Sequence, residues 1–324
     1  MKSFEYAAPK TLKDATALLG AKWGETEILA GGTDLVTSLK QHIVAPNRVV
    51  SLKNIPDLKG ISADGKGVRI GATTTLAELA EHKDIKEHFP SLVTAVNGIG
   101  SLQIISVGTV GGDLCQRPRC WYYRNGFGLF GKNGDTSLVA NGDNRYHAIF
   151  GNEGPASFVS ASSLGPALIV LGATMTVAGP NAKTRKITAD KFFQTPKTEV
   201  ERETALKPNE ILTEILIPVA GLKNATYEVR HRHGLDWPYV AASVAFQLKN
   251  GAASDGRVVL GHVAPVPWAA SGAAKALSGK IDETSAAKCG QAATTGAKPL
   301  SGNAYKVQLV KTAVKRAVLA AAGA

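Results

Sequence analysis

Residues 28–35, Ile28-Leu29-Ala30-Gly31-Gly32-Thr33-Asp34-Leu35, constrain this chain more than any other stretch. A short apolar run is broken by two glycines, a threonine and an aspartate, and then resumes. That order spells a strand, a tight turn and a helix start. Glycine tolerates φ > 0 and lets a backbone approach a neighbour closely. Successive amides in such a turn, with a helix N-terminus behind them, form a cradle suited to a phosphate or pyrophosphate. Thr33 adds a hydroxyl donor, and Asp34 is placed to cap the following helix. A plain connector would use the same residues, so the stretch needs a companion.

Residues 106–113, Ser106-Val107-Gly108-Thr109-Val110-Gly111-Gly112-Asp113, supply one. They repeat glycine, threonine, paired glycines and aspartate. Two such loops in one domain would wall a site for a long, phosphate-bearing ligand. Neither is a G-x-G-x-x-G followed by an acidic residue about 20 positions on, and neither is a P-loop.

Around these loops the pattern alternates between short strands and short helices. Strands are expected at 4–7, 27–30, 48–51, 67–70, 173–178, 185–187 and 210–217. Helices are expected at 12–19 behind Thr11, at 35–40, after Thr75, at 91–97 and at 164–171. Composition shifts at 221–224. Residues 225–231, 239–249 and 257–263 then alternate as three antiparallel strands. Helices follow at 269–277, 282–293 and 303–321. The expected fold is α+β in two domains, 1–221 and 222–324, the second a three-stranded antiparallel sheet covered by helices.

Residues 115–154 fit neither period. They are rich in Gly, Asn, Arg and aromatics, and a structureless loop of that length is uncommon unless functional. The net charge of +11 is dispersed, with no basic block interleaved with aromatics, which disfavours nucleic acid and suits acidic sister subunits or simple solubility. Three cysteines, Cys115, Cys120 and Cys289, cannot make a disulfide framework. No run of 18 apolar residues predicts a membrane span, and the N-terminus carries no apolar signal core. The expected location is the cytoplasm, or a periplasm reached by co-export with a signal-bearing partner. There is no G-x-S-x-G, H-E-x-x-H or C-x-x-C. His231-Arg232-His233 is a compact basic triplet with no third ligand in sight, so it makes a poor metal site.

Residues 28–35, 109–113 and the segment Gln116-Arg117-Pro118-Arg119-Cys120 together resemble the FAD-binding (medium) subunits of the molybdenum hydroxylases. These are the xanthine dehydrogenase, aldehyde oxidoreductase and carbon monoxide dehydrogenase family. The resemblance runs over nearly the whole chain and is nearest to the periplasmic aldehyde oxidoreductase type. It implies a two-lobed FAD-binding domain of the PCMH type, with FAD held by residues 28–35 and by Gly108, Thr109, Gly111, Gly112 and Asp113. It implies electron transfer from [2Fe–2S] clusters of a small subunit, through FAD, to an external acceptor. A large subunit with the molybdenum cofactor completes a heterotrimer or a dimer of heterotrimers.

In the resembling subfamily the 115–154 insert holds a [4Fe–4S] cluster on four cysteines. Here only Cys120, with Cys115 nearby, stands where a ligand is expected, so the insert is read as retained and the cluster as lost. The family's Ser-Asp-Leu is Ser162-Ser163-Leu164 here, so Ser163 replaces an aspartate that contacts FAD. The position of Leu212 packs near the isoalloxazine, or Leu212 is an ordinary core leucine. Arg230 matches a position that approaches FAD. Trp121-Tyr122-Tyr123 either covers the flavin or packs a loop. His147 either nears the cofactor or braces the loop. With no acid, base or nucleophile evident, the flavin would carry the chemistry. Two alternatives remain: a flavin-free scaffold on the same fold, and a stand-alone FAD oxidoreductase.

Overall fold

The first sheet is parallel. Glu5–Ala7, Arg48–Ser51 and Thr26–Leu29 lie side by side with Arg48–Ser51 in the centre. Its crossovers are Leu12–Ala17, capped by Thr11, and Leu35–Lys40. Val50, Ala15, Leu52 and Ile55 fill the core beneath. A parallel strand that feeds a helix leaves its loop at the carboxyl edge of the sheet, where ligands of open α/β sheets bind. That edge is where residues 30–34 sit. The computed structural model describes residues 1–324 except Lys66, Ala220, His233, Gly234, Leu235 and Ala324.

The second sheet is antiparallel, in the order Ile61–Asp64, Gly67–Gly71, Ile211–Ile217, Thr174–Ala178, Thr184–Thr188. Its central strand comes from far along the chain, so residues 211–217 close a lobe begun at residue 61. Leu76–Glu81, Pro90–Asn97 and Gly165–Val170 pack on it through Leu76, Leu79, Leu92, Val96 and Leu168. The start of Leu76–Glu81 is fixed by a reciprocal pair in which Thr75 and Glu78 each accept from the other's backbone amide.

The third sheet runs Lys223–Val229, Val240–Lys249, Ala252–Gly261, Trp268–Ala269, with Gly279–Lys280 added beside Ala252–Gly261. It thus has five strands where three were expected. The two additional ones are two residues each, too short to show a period of two. Tyr305–Ala322 packs on Lys223–Val229 and Val240–Lys249, Ser271–Ala276 packs on Ala252–Gly261, and Glu283–Ala292 packs against both helices. The long helix buries Val310, Val314, Ala317 and Val318 on one stripe and stops at Gly323, whose φ is 75°.

The insert is structured, which corrects the reading of 115–154 as a loop. Trp121–Arg124 and Leu138–Asn141 are helical, and Lys132–Asn133 pairs with Thr136–Ser137. Its small core is Tyr123, Leu129 and Phe130 against Ala156 and Phe158. Ile149 and Phe150 reach further and join the core of the third sheet. Asn303 Nδ2 donates to the carbonyls of Asn144, His147 and Ala148, which ties the last helix to the insert.

Lys306 sits inside this junction, 1% exposed. Its Nζ donates to the carbonyls of Tyr146, His147 and His262 at 2.9, 3.1 and 2.9 Å. Burial lowers its pKa from 10.5 to about 7. A lysine with a folded pKa below its unfolded one gives up its proton on folding. Stability therefore rises as pH climbs from about 7 toward the unfolded value. Urea melts should show wild type gaining about 2 kcal/mol over Lys306→Met between about pH 7 and about pH 9. The carbonyls left without a donor in the variant shift its whole curve, not that slope.

Candidate functional site

A cleft separates the parallel lobe from the antiparallel one. Ile28, Ala30, Gly31, Gly32, Thr33, Asp34 and Leu35 form one wall, and Thr109, Gly111, Gly112 and Leu212 the other. The loop at 30–34 follows directly from Thr26–Leu29. Gly31 is required there because an added Cβ would lie 2.1 Å from the Val107 carbonyl oxygen, so the two loops touch. Gly32 has φ 86°. Among the described residues no protein acceptor receives the amides of Gly31, Gly32, Thr33 or Asp34. These four open donors stand at a helix start, the geometry that an anion cradle requires.

The second loop differs. Val110 N–H donates to Thr74 O, Gly111 N–H to Ala72 O, Gly112 N–H to Thr109 Oγ1 and Asp113 N–H to Thr109 O. Its amides are spent within the protein, so the loop braces the cleft and forms its floor. Gly111 lies close enough to Ala72 that a Cβ would stand 2.9 Å from its carbonyl oxygen.

Several residues singled out in the sequence are used differently. Asp34 makes no capping bond. Its carboxylate accepts from the Arg117 amide at 2.8 Å and from Arg124 Nη2 at 2.8 Å, and pairs with Arg119 at 3.2 Å. Charged donors outcompete a neutral helix amide. Asp113 turns away from the cleft and is 7% exposed. It accepts from Ser162 Oγ at 2.6 Å, the Ser163 and Leu164 amides at 3.1 and 3.0 Å, and Gln116 Nε2 at 3.1 Å. Burial pushes its carboxyl above the usual range, while the bonds from Ser162, Leu164 and Ser163 pull it down. Ser163 is buried behind it. Leu29 and Gly108 stand one residue behind the lining.

Arg230 also lies off the cleft. Its guanidinium is paired with the Glu228 carboxylate and donates to the Asp236 carbonyl. Leu212 lines the cleft and belongs to the buried core.

Sequence reasoning missed the cleft's charged side chains. Glu27 pairs with Arg202 at 2.7 Å, and Arg117 with Glu203 at 3.4 Å. Arg202 also lies over the Trp23 ring, 4.9 Å from its centroid. Burial pushes the Glu27 carboxyl up to about 7, with Arg117 pulling the other way. The partners are 175 and 86 positions apart, and no local pattern joins them. Cys115 lines the cleft with its thiol pushed up to about 12 by burial, which leaves it inert. Among the described residues no group of three or more His, Cys, Asp or Glu could hold a metal. Cys120 Sγ lies 3.2 Å from His147 Nε2, whereas Cys289 is buried in the third sheet's core. His231 and Arg232 stand away from the cleft, and His233 lies outside the described residues. No helix among the described residues is long and apolar enough to cross a membrane.

The donor set fits FAD. Four open amides suit a pyrophosphate, and the walls of Ile28, Leu35, Leu52 and Leu212 suit flat rings. Comparison with known proteins agrees. Residues 2–220 match the family described as the FAD binding domain in molybdopterin dehydrogenase, and residues 225–321 match the CO dehydrogenase flavoprotein C-terminal domain. The aldehyde oxidoreductase FAD-binding subunit PaoB of Escherichia coli is 31% identical over 286 residues, 86% of this chain and 87% of that protein. The carbon monoxide dehydrogenase medium chain of Hydrogenophaga pseudoflava is 28% identical over 98% of this chain and 96% of its own. A solved structure of that organism's carbon monoxide dehydrogenase superposes with a TM-score of 0.76 at 28% identity, covering 99% of this chain and 97% of that one. Quinoline 2-oxidoreductase from Pseudomonas putida 86 superposes at 0.78 with 25% identity, covering 100% and 99%. The chain therefore belongs to the FAD-binding medium subunits of the molybdenum hydroxylase family.

Proposed function

We propose that this chain holds FAD across the cleft and relays electrons from [2Fe–2S] clusters of a small partner subunit to an external acceptor. The observation that carries the proposal is the row of four open amides, residues 31–34, at the carboxyl edge of a parallel sheet. They hold the pyrophosphate, with the Thr33 hydroxyl as a further donor. Ile28, Leu35 and Leu212 flank the rings, and Thr109, Gly111 and Gly112 form the floor. Glu27, Arg202 and Arg117 set the charge around the bound group. FAD supplies the redox chemistry when bound, and the chain contributes orientation and field.

The relatives carry medium-chain and FAD-subunit names, which supports a complex with an iron–sulfur subunit and a large molybdenum-cofactor subunit. Within it, residues 1–221 are the FAD-binding domain and residues 222–324 the second domain. The complex is placed in the cytoplasm or the periplasm.

The test compares the complex with and without this chain. After reduction with dithionite and anaerobic removal of the excess reductant, clusters in both preparations should be bleached. Only the complete complex should then reduce an external dye at speed. Undiminished dye reduction without the chain would overturn the relay. Turnover of an aldehyde or purine by the isolated chain would instead favour a stand-alone oxidoreductase.

A further inference from the structure

A second cavity, of about 340 Å³, opens where the insert meets the third sheet. It shares no lining residue with the cleft. Its walls collect motifs that the relay does not use: Cys120 and Trp121, His147, and His231 with Arg232.

The cavity is aromatic. Tyr146 and Tyr239 stack at 5.5 Å with 16° between their planes, and Trp121 stands edge-on to Tyr146 at 5.2 Å. Trp237 lines the opposite side beneath the Arg119 guanidinium, 5.2 Å from its ring centroid. The cavity also gathers basic side chains. Lys306 is held by three carbonyls and makes no ion pair among the described residues. Arg119 adds a second charge. Among the described residues the one carboxylate in the lining, Asp236, is already paired with Arg232 at 3.1 Å.

It also has an unspent polar group. His262 is 2% exposed, its backbone is held at φ 61°, and its Nε2 has no partner. An unpartnered buried ring nitrogen costs stability unless something binds it. A strained, buried residue of this kind points to function. His147 Nδ1 is likewise unpartnered.

We propose that this cavity is a binding site for a small planar aromatic anion, of the size and charge of an aromatic carboxylate. The aromatic walls receive the ring, Arg119 balances the charge, joined by Lys306 wherever that amine is protonated, and His262 Nε2 supplies a hydrogen-bonding partner. The volume suits a single-ring or two-ring ligand. The proposal is independent of the electron relay. It has one point of contact with the cleft, because Arg119 also pairs with Asp34.

The test is a calorimetric titration of the purified FAD-loaded complex with sodium benzoate, repeated with Trp237→Ala and His262→Asn. Trp237 is 42% exposed, so its loss leaves the fold intact. Asparagine tolerates the left-handed backbone at 262. Wild type should bind one benzoate per chain at this site, and Trp237→Ala should weaken that binding about tenfold or more with FAD content unchanged. His262→Asn should also weaken it. Neutral benzamide should bind more weakly than benzoate. Binding that is identical in wild type and both variants, or no saturable binding at millimolar benzoate, overturns the proposal. So does benzoate binding only to FAD-stripped protein and released by added FAD, which would make the cavity part of the cofactor cleft. If the flavin reading failed instead, a flavin-free chain would still bind benzoate.

Discussion

Gly31→Val should strip the protein of its flavin. The new Cβ would stand 2.1 Å from the Val107 carbonyl oxygen, with backbone atoms of Val107 and Gly108 also inside 3.0 Å or at it. Neither loop has a flexible side chain to yield, so the two must part. Overpacking of this kind costs about 1–3 kcal/mol in stability. The effect on binding is larger, because four amide donors lose their common focus at once. We expect FAD retained through gel filtration to fall at least about tenfold, the equivalent of about 1.4 kcal/mol or more. Gly154→Ala is the control, since a Cβ there meets nothing within 4 Å. It should keep full flavin.

Asp113→Ala should be the most destabilising single change in the FAD-binding lobe. It removes one buried carboxylate from four donors: the Ser162 hydroxyl, the Ser163 and Leu164 amides, and Gln116 Nε2. Orphaned buried donors cost about 1–3 kcal/mol each, and relaxation recovers part of that. The expected loss is about 3–5 kcal/mol, read as a lower urea midpoint with unchanged slope. Asp113→Asn keeps one acceptor oxygen and should lose less. A stability loss under about 1 kcal/mol would mean that the carboxylate does not clamp the 162–164 turn.

How far the site was legible depends on how local its cause is. The strand, glycine turn and helix at 26–40 follow from adjacent residues, so the first turn could be read directly. The glycines at 111 and 112 were equally visible, but their amides are claimed by Ala72 and Thr109. No pattern within the loop says which partner an amide finds. The salt-bridged role of Asp34 and the buried clamp made by Asp113 were illegible for the same reason. Their carboxylates serve Arg117, Arg124 and Ser162, 49 to 90 positions away. The pair Arg202–Glu27 spans 175 positions and left no local trace. In the insert, Tyr123, Leu129, Phe130 and Phe158 make a core with no periodicity, because its helices are only a turn or so long.

The third sheet was legible in its three long strands and illegible in its two short ones. Val240–Lys249 and Ala252–Gly261 each run ten residues, long enough for alternation to register. Trp268–Ala269 and Gly279–Lys280 are held in place by pairing with Ala252–Gly261, a tertiary cause.

The measurement that tests the account most directly is the flavin released by acid from this chain, purified in complex with its partners and counted against protein. One FAD per chain, lost in the complex built with Gly31→Val, is the predicted result. An intact complex that releases no flavin would contradict it, and would leave the cleft as the wall of a scaffold.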